Sequence, residues 1–325
     1  MAERIEIHSR NDTFQLLEAA MRNRNKRHRQ GFFVVESVKG INLALQTPGW
    51  EARGVVYARE RRLSPWAQEI LRRPRLAHYV LPEALLSELS DREETSEILL
   101  LCSIRNFALS DIALRSGLLL LTDRTQNPGN LGSIIRSADA MGADALLMVG
   151  HSADVYDPAC VRATIGTLFT LPVVRLEGVQ DLRPLRGRYP DMQWVGTSAH
   201  GTVSLDAVDL SRPTLLMMGN ETVGLSRACK EACDVLARIP IFGAASSLNL
   251  ACATSICLYE AQRQRLAAAG EAGSGKWREM PPRVFSNAQR FSIIKSIFPN
   301  CPRADCSARA EPRQNGRKAE KRKEP

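Results

Sequence analysis

LLLLTDRTQNPGNLGSIIRSADAMGADALLMVG, residues 118–150, runs from an apolar stretch into a polar turn, through a helix-length segment and into a second apolar stretch. LLLLT at 118–122 and ALLMVG at 145–150 are continuous rather than alternating. That pattern belongs to strands buried on both faces of a parallel sheet. The segment 131–141 between them reads as a crossover helix. Comparable apolar runs recur downstream as LPVV at 171–174, WVGTS at 194–198 and TLLMMG at 214–219. Helix-like segments separate them, including 158–168, and the series ends in a long helix over 247–268. Ser246 or Ser247 can cap that last helix. An α/β domain built on a parallel sheet is therefore expected over 118–269.

Working upstream, residues 11–102 read as helix, strand 32–36, helix 37–46, strand 53–58, helix 65–73, strand 77–80, helix 82–89 and strand 98–102. This alternation predicts a small N-terminal α/β domain over 1–105. NFALSDIALRSG, 106–117, has no strong apolar block and reads as a linker. Downstream of Ala269 the chain turns polar and cationic, so 270–325 is expected to be a basic, largely flexible tail.

The 325 residues are enough for about two domains, and 44% hydrophobic with 24% charged residues argues against wholesale disorder. No run approaches a membrane span, and MAERIEIHSRNDT lacks a secretory apolar core, so a cytoplasmic protein with no membrane partner is expected. The net charge of +9 favours a polyanionic partner. Its excess sits at the ends: residues 111–270 carry 14 basic and 15 acidic side chains, whereas 271–325 carry 13 and 6. A second cluster, Arg22, Arg24, Lys26, Arg27 and Arg29, follows a helix-like stretch and reads as a helix end plus loop suited to RNA phosphates.

Eight cysteines form no CxxC pair and the five histidines are scattered, so no metal is expected. Gly270, Gly275 and Lys276 imitate a phosphate-binding loop, but Trp277 replaces its Ser or Thr and a helix, not a strand, precedes it. Likewise NPGNLG at 127–132 is not a dinucleotide-binding GxGxxG.

Three blocks are more specific. TDRTQNPGNLGSIIRSADAMGA, 122–143, leads from a strand end into a helix bearing Asn130 and Arg136. MMGNETVGLS, 217–226, ends a strand in a Gly-rich turn holding Glu221. IPIFGAASSLNLACATSICLYEAQRQR, 239–265, closes on Ser247 and Asn249 at the start of the long helix. In order and spacing these blocks resemble the three motifs of the SpoU (TrmH) branch of the SPOUT RNA methyltransferases, over about 115–266. Residues 11–102, with GFFVVES at 31–37, resemble the ribosomal-protein-like substrate-binding domain that precedes this domain in many rRNA ribose methyltransferases.

The resemblance implies a SPOUT-type parallel-sheet domain with a C-terminal trefoil knot, S-adenosylmethionine as methyl donor, and a homodimer paired through the knotted domain. It implies 2′-O-ribose methylation of RNA, with rRNA favoured by the N-terminal domain. The ending SLN…LYEAQRQR keeps tRNA open, and a catalytically silent RNA-binding factor is the rival from another class. Arg136 is then the first catalytic candidate, with Asn130, Glu221, Ser247 and Asn249 beside it. Thr197, Ser198, Met218, Gly219, Asn220, Gly224, Ile239, Ile241 and Leu248 become the candidate donor-binding residues. A guanidinium is an awkward general base, so orienting a phosphate and stabilising an alkoxide is the easier role for Arg136.

Overall fold

The computed structural model describes residues 3–90 and 95–270, which carry two sheets. The tail expected over 270–325 lies outside the described residues save for Gly270, as does the rest of the false phosphate-loop match.

The first sheet comprises β1 (Arg4–Glu6), β2 (Phe32–Val35), β3 (Ala52–Ala58), β4 (Ala77–Leu81) and β5 (Ile98–Ser103), in the order β1-β4-β3-β5-β2. β1, β4 and β3 run parallel, while β5 is antiparallel to β3 and to β2. Around it lie α1 (Asp12–Arg22), α2 (Arg24–Gln30), α3 (Val38–Gln46), α4 (Pro65–Leu71) and α5 (Glu83–Leu89). The basic run thus starts at the end of α1 with Arg22, as expected, but from Arg24 onward it is a helix of its own rather than a loop. The Asn23 side chain accepts from the Lys26 amide at 2.9 Å, restarting the helix, and Gly31 ends it at φ +70°. Seven polar residues carry no apolar period, so only those two caps mark it.

The second sheet has β6 (Leu118–Asp123), β7 (Ala145–Val149), β8 (Val173–Leu176), β9 (Gln193–Thr197), β10 (Val203–Ser204), β11 (Thr214–Met218) and β12 (Val235–Arg238). Their order is β10-β12-β9-β11-β6-β7-β8 and every pairing is parallel. The helices are α6 (Pro128–Ala140), α7 (Pro158–Thr164), α8 (Arg183–Arg188), α9 (Arg227–Ala232) and α10 (Leu250–Ala268). All six residues of β6 are buried. Leu118 and Leu120 join the cluster of Leu131, Ile134 and Ile135 from α6, whereas Leu119 and Leu121 face Leu185 of α8 and Cys229 of α9. Period-two alternation into two separate cores explains the unbroken apolar run.

α6 lies close against α7 because Gly132 has no side chain. A Cβ there would sit 2.4 Å from the Cys160 carbonyl oxygen and 2.6 Å from Ala163 Cβ. Gly132→Ala is therefore expected to destabilise the fold by about 1–3 kcal/mol through overpacking, read from the denaturant midpoint at constant slope. An unchanged midpoint would mean that the helices separate at no cost.

The two sheets share one apolar cluster: Phe33, Val55 and Leu100 belong to it together with Leu120, Leu146 and Phe169. The Phe33 ring is 4.6 Å from Tyr156, Trp50 packs 5.0 Å from Phe169, and Trp50 Nε1 donates to the Phe169 carbonyl at 3.0 Å. The stretch read as a linker is packed as well. Phe107 bridges to Val174, with the Arg105 guanidinium 4.4 Å over its ring, and Ile112 is buried. Among the described residues no helix is long and apolar enough to cross a membrane.

Candidate active site

Parallel pairing brings the carboxyl ends of β12, β9, β11 and β6 to one edge of the sheet, where α/β folds place ligands. β11 runs into a tight turn there. Asn220 and Gly224 exchange backbone hydrogen bonds at 3.1 and 2.9 Å, and Asn220 Oδ1 accepts from the Thr222 and Val223 amides. Gly219 is required at the entry, since a Cβ would lie 2.2 Å from the Leu225 nitrogen.

This turn is tied to the end of β6 by two residues that sequence reading passed over. Buried Asp123 accepts from Arg124 Nε at 2.9 Å and from the Ser226 amide at 2.6 Å. Arg124 sits at φ +55°, a strained conformation for a non-glycine. From there it donates Nη2 to the Gly224 carbonyl at 3.2 Å, while Asn220 Nδ2 donates to the Arg124 carbonyl at 2.8 Å. Burial acts to raise the Asp123 pKa, but hydrogen bonds from Arg124 and Ser226 prevail and hold it below the usual carboxylate value. The hydrogen bond to Asp123 raises the Arg124 pKa in turn.

Asn130, Glu221 and Asn249, drawn from three separate blocks, form one hydrogen-bonded chain. Asn130 Nδ2 donates to Glu221 Oε1 at 3.1 Å, and Asn249 Nδ2 donates to Asn130 Oδ1 at 3.1 Å. Asn127 caps α6 through the Asn130 amide at 2.9 Å, fixing where the chain starts. α10 begins at Leu250, and its cap is Asn249, whose Oδ1 accepts from the Ala251 and Cys252 amides. Ser246 and Ser247, expected as caps, do not serve: the contact with Asn130 selects Asn249 among three capable residues.

A cavity of about 320 Å³ opens beside this chain. All nine candidate donor-binding residues line it: Thr197 and Ser198 at the end of β9, Met218 at the end of β11 with Gly219, Asn220 and Gly224 beyond it, and Ile239, Ile241 and Leu248 after β12. Ser247 and Glu221 line it too, as do His200 and Lys230, to which sequence reading gave no binding role. The walls are mostly apolar and backbone, with a carboxylate and an ammonium as the charged groups, so a ligand with an apolar body and charged ends fits. Arg136 stands apart from the cavity, exposed on α6 and without an ion pair or hydrogen bond among the described residues. The neighbouring Ser137 hydroxyl meets that of Ser255 at 2.8 Å, holding α6 against α10.

The basic run divides. Arg22, Lys26 and Arg29 are exposed, and Arg24 donates to the Ser152 carbonyl at 3.0 Å. Arg27, expected at an RNA surface, is 1% exposed, with Nε 2.9 Å from Asp154 and Nη1 on the Ala20 and Met21 carbonyls. Its donors are spent inside the protein, so it leaves the RNA-facing set. No group of three or more His, Cys, Asp or Glu side chains able to hold a metal occurs among the described residues.

Fold and site together define an α/β protein that takes a ligand at the carboxyl ends of parallel strands and presents an exposed arginine and an amide–carboxylate chain beside it. Residues 117–259 match the SpoU rRNA Methylase family and residues 11–101 the SpoU L30e-like domain. A 23S rRNA (uridine(2479)-2′-O)-methyltransferase of Streptomyces viridochromogenes is 44% identical over 267 residues, covering 80% of this chain and 93% of that one. The crystal structure of the SpoU methyltransferase AviRb from the same organism, in complex with AdoMet, superposes with a TM-score of 0.75 at 44% identity, over 79% of this chain and 99% of that one. An AdoMet-bound rRNA methyltransferase from Sinorhizobium meliloti gives 0.70 at 33% identity, over 80% and 98%. The chain belongs to the SpoU rRNA methylase family.

Proposed function

We propose that this protein is an S-adenosylmethionine-dependent RNA 2′-O-ribose methyltransferase acting on rRNA. The observation that carries the reading is the meeting of the three sequence blocks in the Glu221–Asn130–Asn249 chain, beside a cavity lined by all nine candidate donor-binding residues. The cavity suits the donor. Met218, Ile239 and Leu248 would hold its base by apolar contact, and Glu221 and Lys230 would supply opposite charges for its amino-acid moiety. Bound there, S-adenosylmethionine supplies a methyl group already activated on a sulfonium. The chain has then to hold the ribose in line and stabilise charge developing on O2′. Arg136, unpaired among the described residues and exposed, is free to grip the adjacent phosphate and that oxygen, while the amide–carboxylate chain keeps α6, the Gly-rich turn and α10 in register.

Labelled methyl from S-adenosylmethionine, offered to rRNA and tRNA pools lacking prior modification, is expected to appear as a 2′-O-methyl nucleoside in rRNA. Label confined to tRNA would reassign the substrate. Donor binding without transfer to either pool would point to a substrate present only in an assembly intermediate, whereas RNA binding with no donor binding at all would leave a silent RNA-binding factor.

The same reading makes the protein a cytoplasmic homodimer paired through a knotted methyltransferase domain. Phe242, 98% exposed, and the outward Ile256 and Tyr259 of α10 support it, since apolar side chains of that size want covering. Ile256→Glu with Tyr259→Glu is expected to halve the mass seen by light scattering. A mass equal to the wild type would remove α10 from the interface.

A further inference from the structure

α2 is bolted to the methyltransferase domain through a buried ionic node. Asp154, between β7 and α7, is 5% exposed; its Oδ2 receives Arg27 Nε at 2.9 Å and its Oδ1 lies 3.0 Å from His28 Nε2. Arg27 Nη2 also lies 3.5 Å from Asp157, and Arg24 reaches the Ser152 carbonyl. Arg24, Arg27 and His28 are spaced i, i+3, i+4, one face of the helix, while Lys26 and Arg29 stay exposed. The segment they grip is bonded onward to the start of the catalytic block: the Ala153 amide donates to the Thr125 carbonyl at 2.7 Å and Gln126 Nε2 to the His151 carbonyl at 2.6 Å. Gln126 adjoins Asn127, which sets the register of α6 and Asn130.

A buried Arg–carboxylate pair adds little stability over apolar side chains of equal volume, but its fork admits one docking angle. What the node supplies is register. We propose that Asp154 is a positioning residue for RNA: through Arg27 and His28 it holds the outward cations Lys26 and Arg29 at a fixed offset from the Asn130 end of α6. RNA gripped at α2 then delivers its target ribose to the site. This rests on the methyltransferase reading above.

The test uses the full chain, S-adenosylmethionine and the unmodified rRNA. Asp154→Asn is expected to raise the KM for RNA about tenfold with kcat and donor Kd within about twofold, as is the Lys26→Ala, Arg29→Ala pair. Combined, they should raise KM little beyond either alone, because Asp154 acts only by placing the two cations that the pair removes. Multiplied effects, near a hundredfold, would overturn the proposal, since Lys26 and Arg29 would then be placed without Asp154. Should Asp154→Asn fold poorly, Arg27→Met with Asp154→Leu fills the node with apolar groups. It is expected to keep the wild-type melting temperature yet raise the RNA KM. A wild-type KM in that variant would equally overturn the proposal. A wild-type protein that transfers no methyl to any RNA overturns both this inference and the reading beneath it, whereas transfer unaffected by the variants overturns this one alone.

Discussion

Arg136→Ala is expected to lower methyl transfer about a thousandfold while leaving S-adenosylmethionine affinity within about twofold of wild type. The two readouts separate because Arg136 lies outside the cavity wall that carries the candidate donor-binding residues. Its guanidinium is exposed and makes no bond among the described residues, so truncation disturbs no packing and should change stability by no more than about 0.5 kcal/mol. On the mechanism proposed above, the variant would lose the cation that meets negative charge growing on the ribose oxygen. Arg136→Lys restores the charge but not the two-pronged geometry, and partial recovery is expected. Full recovery would show that charge alone matters, and unchanged turnover in Arg136→Ala would remove the residue from the mechanism.

The parts of the fold legible in the sequence are those where a local pattern and the tertiary environment agree. β6, β7 and β11 read as buried strands because both their faces are covered, leaving polar residues only at the strand ends. β1 and β10, three and two residues long, carry too little pattern and are defined by their pairing partners β4 and β12. α2 is invisible to periodicity for the same reason. Among the candidate residues, glycines and amides could be placed because turn and cap chemistry is local. Arg27 could not: nothing in a run of cations marks the one turned inward, and its partner Asp154 is 127 residues away. Asn249 was selected over Ser247 as cap by Asn130, 119 residues distant. Long-range partners decided each of these, and a single sequence does not pair them.

Asp123→Ala should be the most damaging change outside the reaction centre, for a reason that appears only in three dimensions. Removing this carboxylate leaves the Ser226 amide without its acceptor and strands Arg124, whose left-handed backbone is held by bonds to Asp123 and the Gly224 carbonyl. The carboxylate is buried but the Arg124 guanidinium is partly exposed, so the loss of these hydrogen bonds costs about 1–3 kcal/mol, still a large share of the stability of a typical domain. The Asn220–Gly224 turn loses its anchor to β6, so donor affinity should fall at least about tenfold even in protein that remains folded. Arg124→Gly separates the contributions: it relieves the backbone strain and removes the guanidinium while leaving Asp123 to accept from Ser226. It should therefore weaken donor binding with a smaller loss of stability. The pH dependence has a fixed sign. The folded pKa of Asp123 is lowered, so its stabilisation is complete above the unfolded value of about 3.9 and is lost as pH falls through the lower folded value. Donor titrations across the neutral range should then be insensitive to this group. Wild-type donor affinity in Asp123→Ala would show that the Gly-rich turn keeps its shape without the strut.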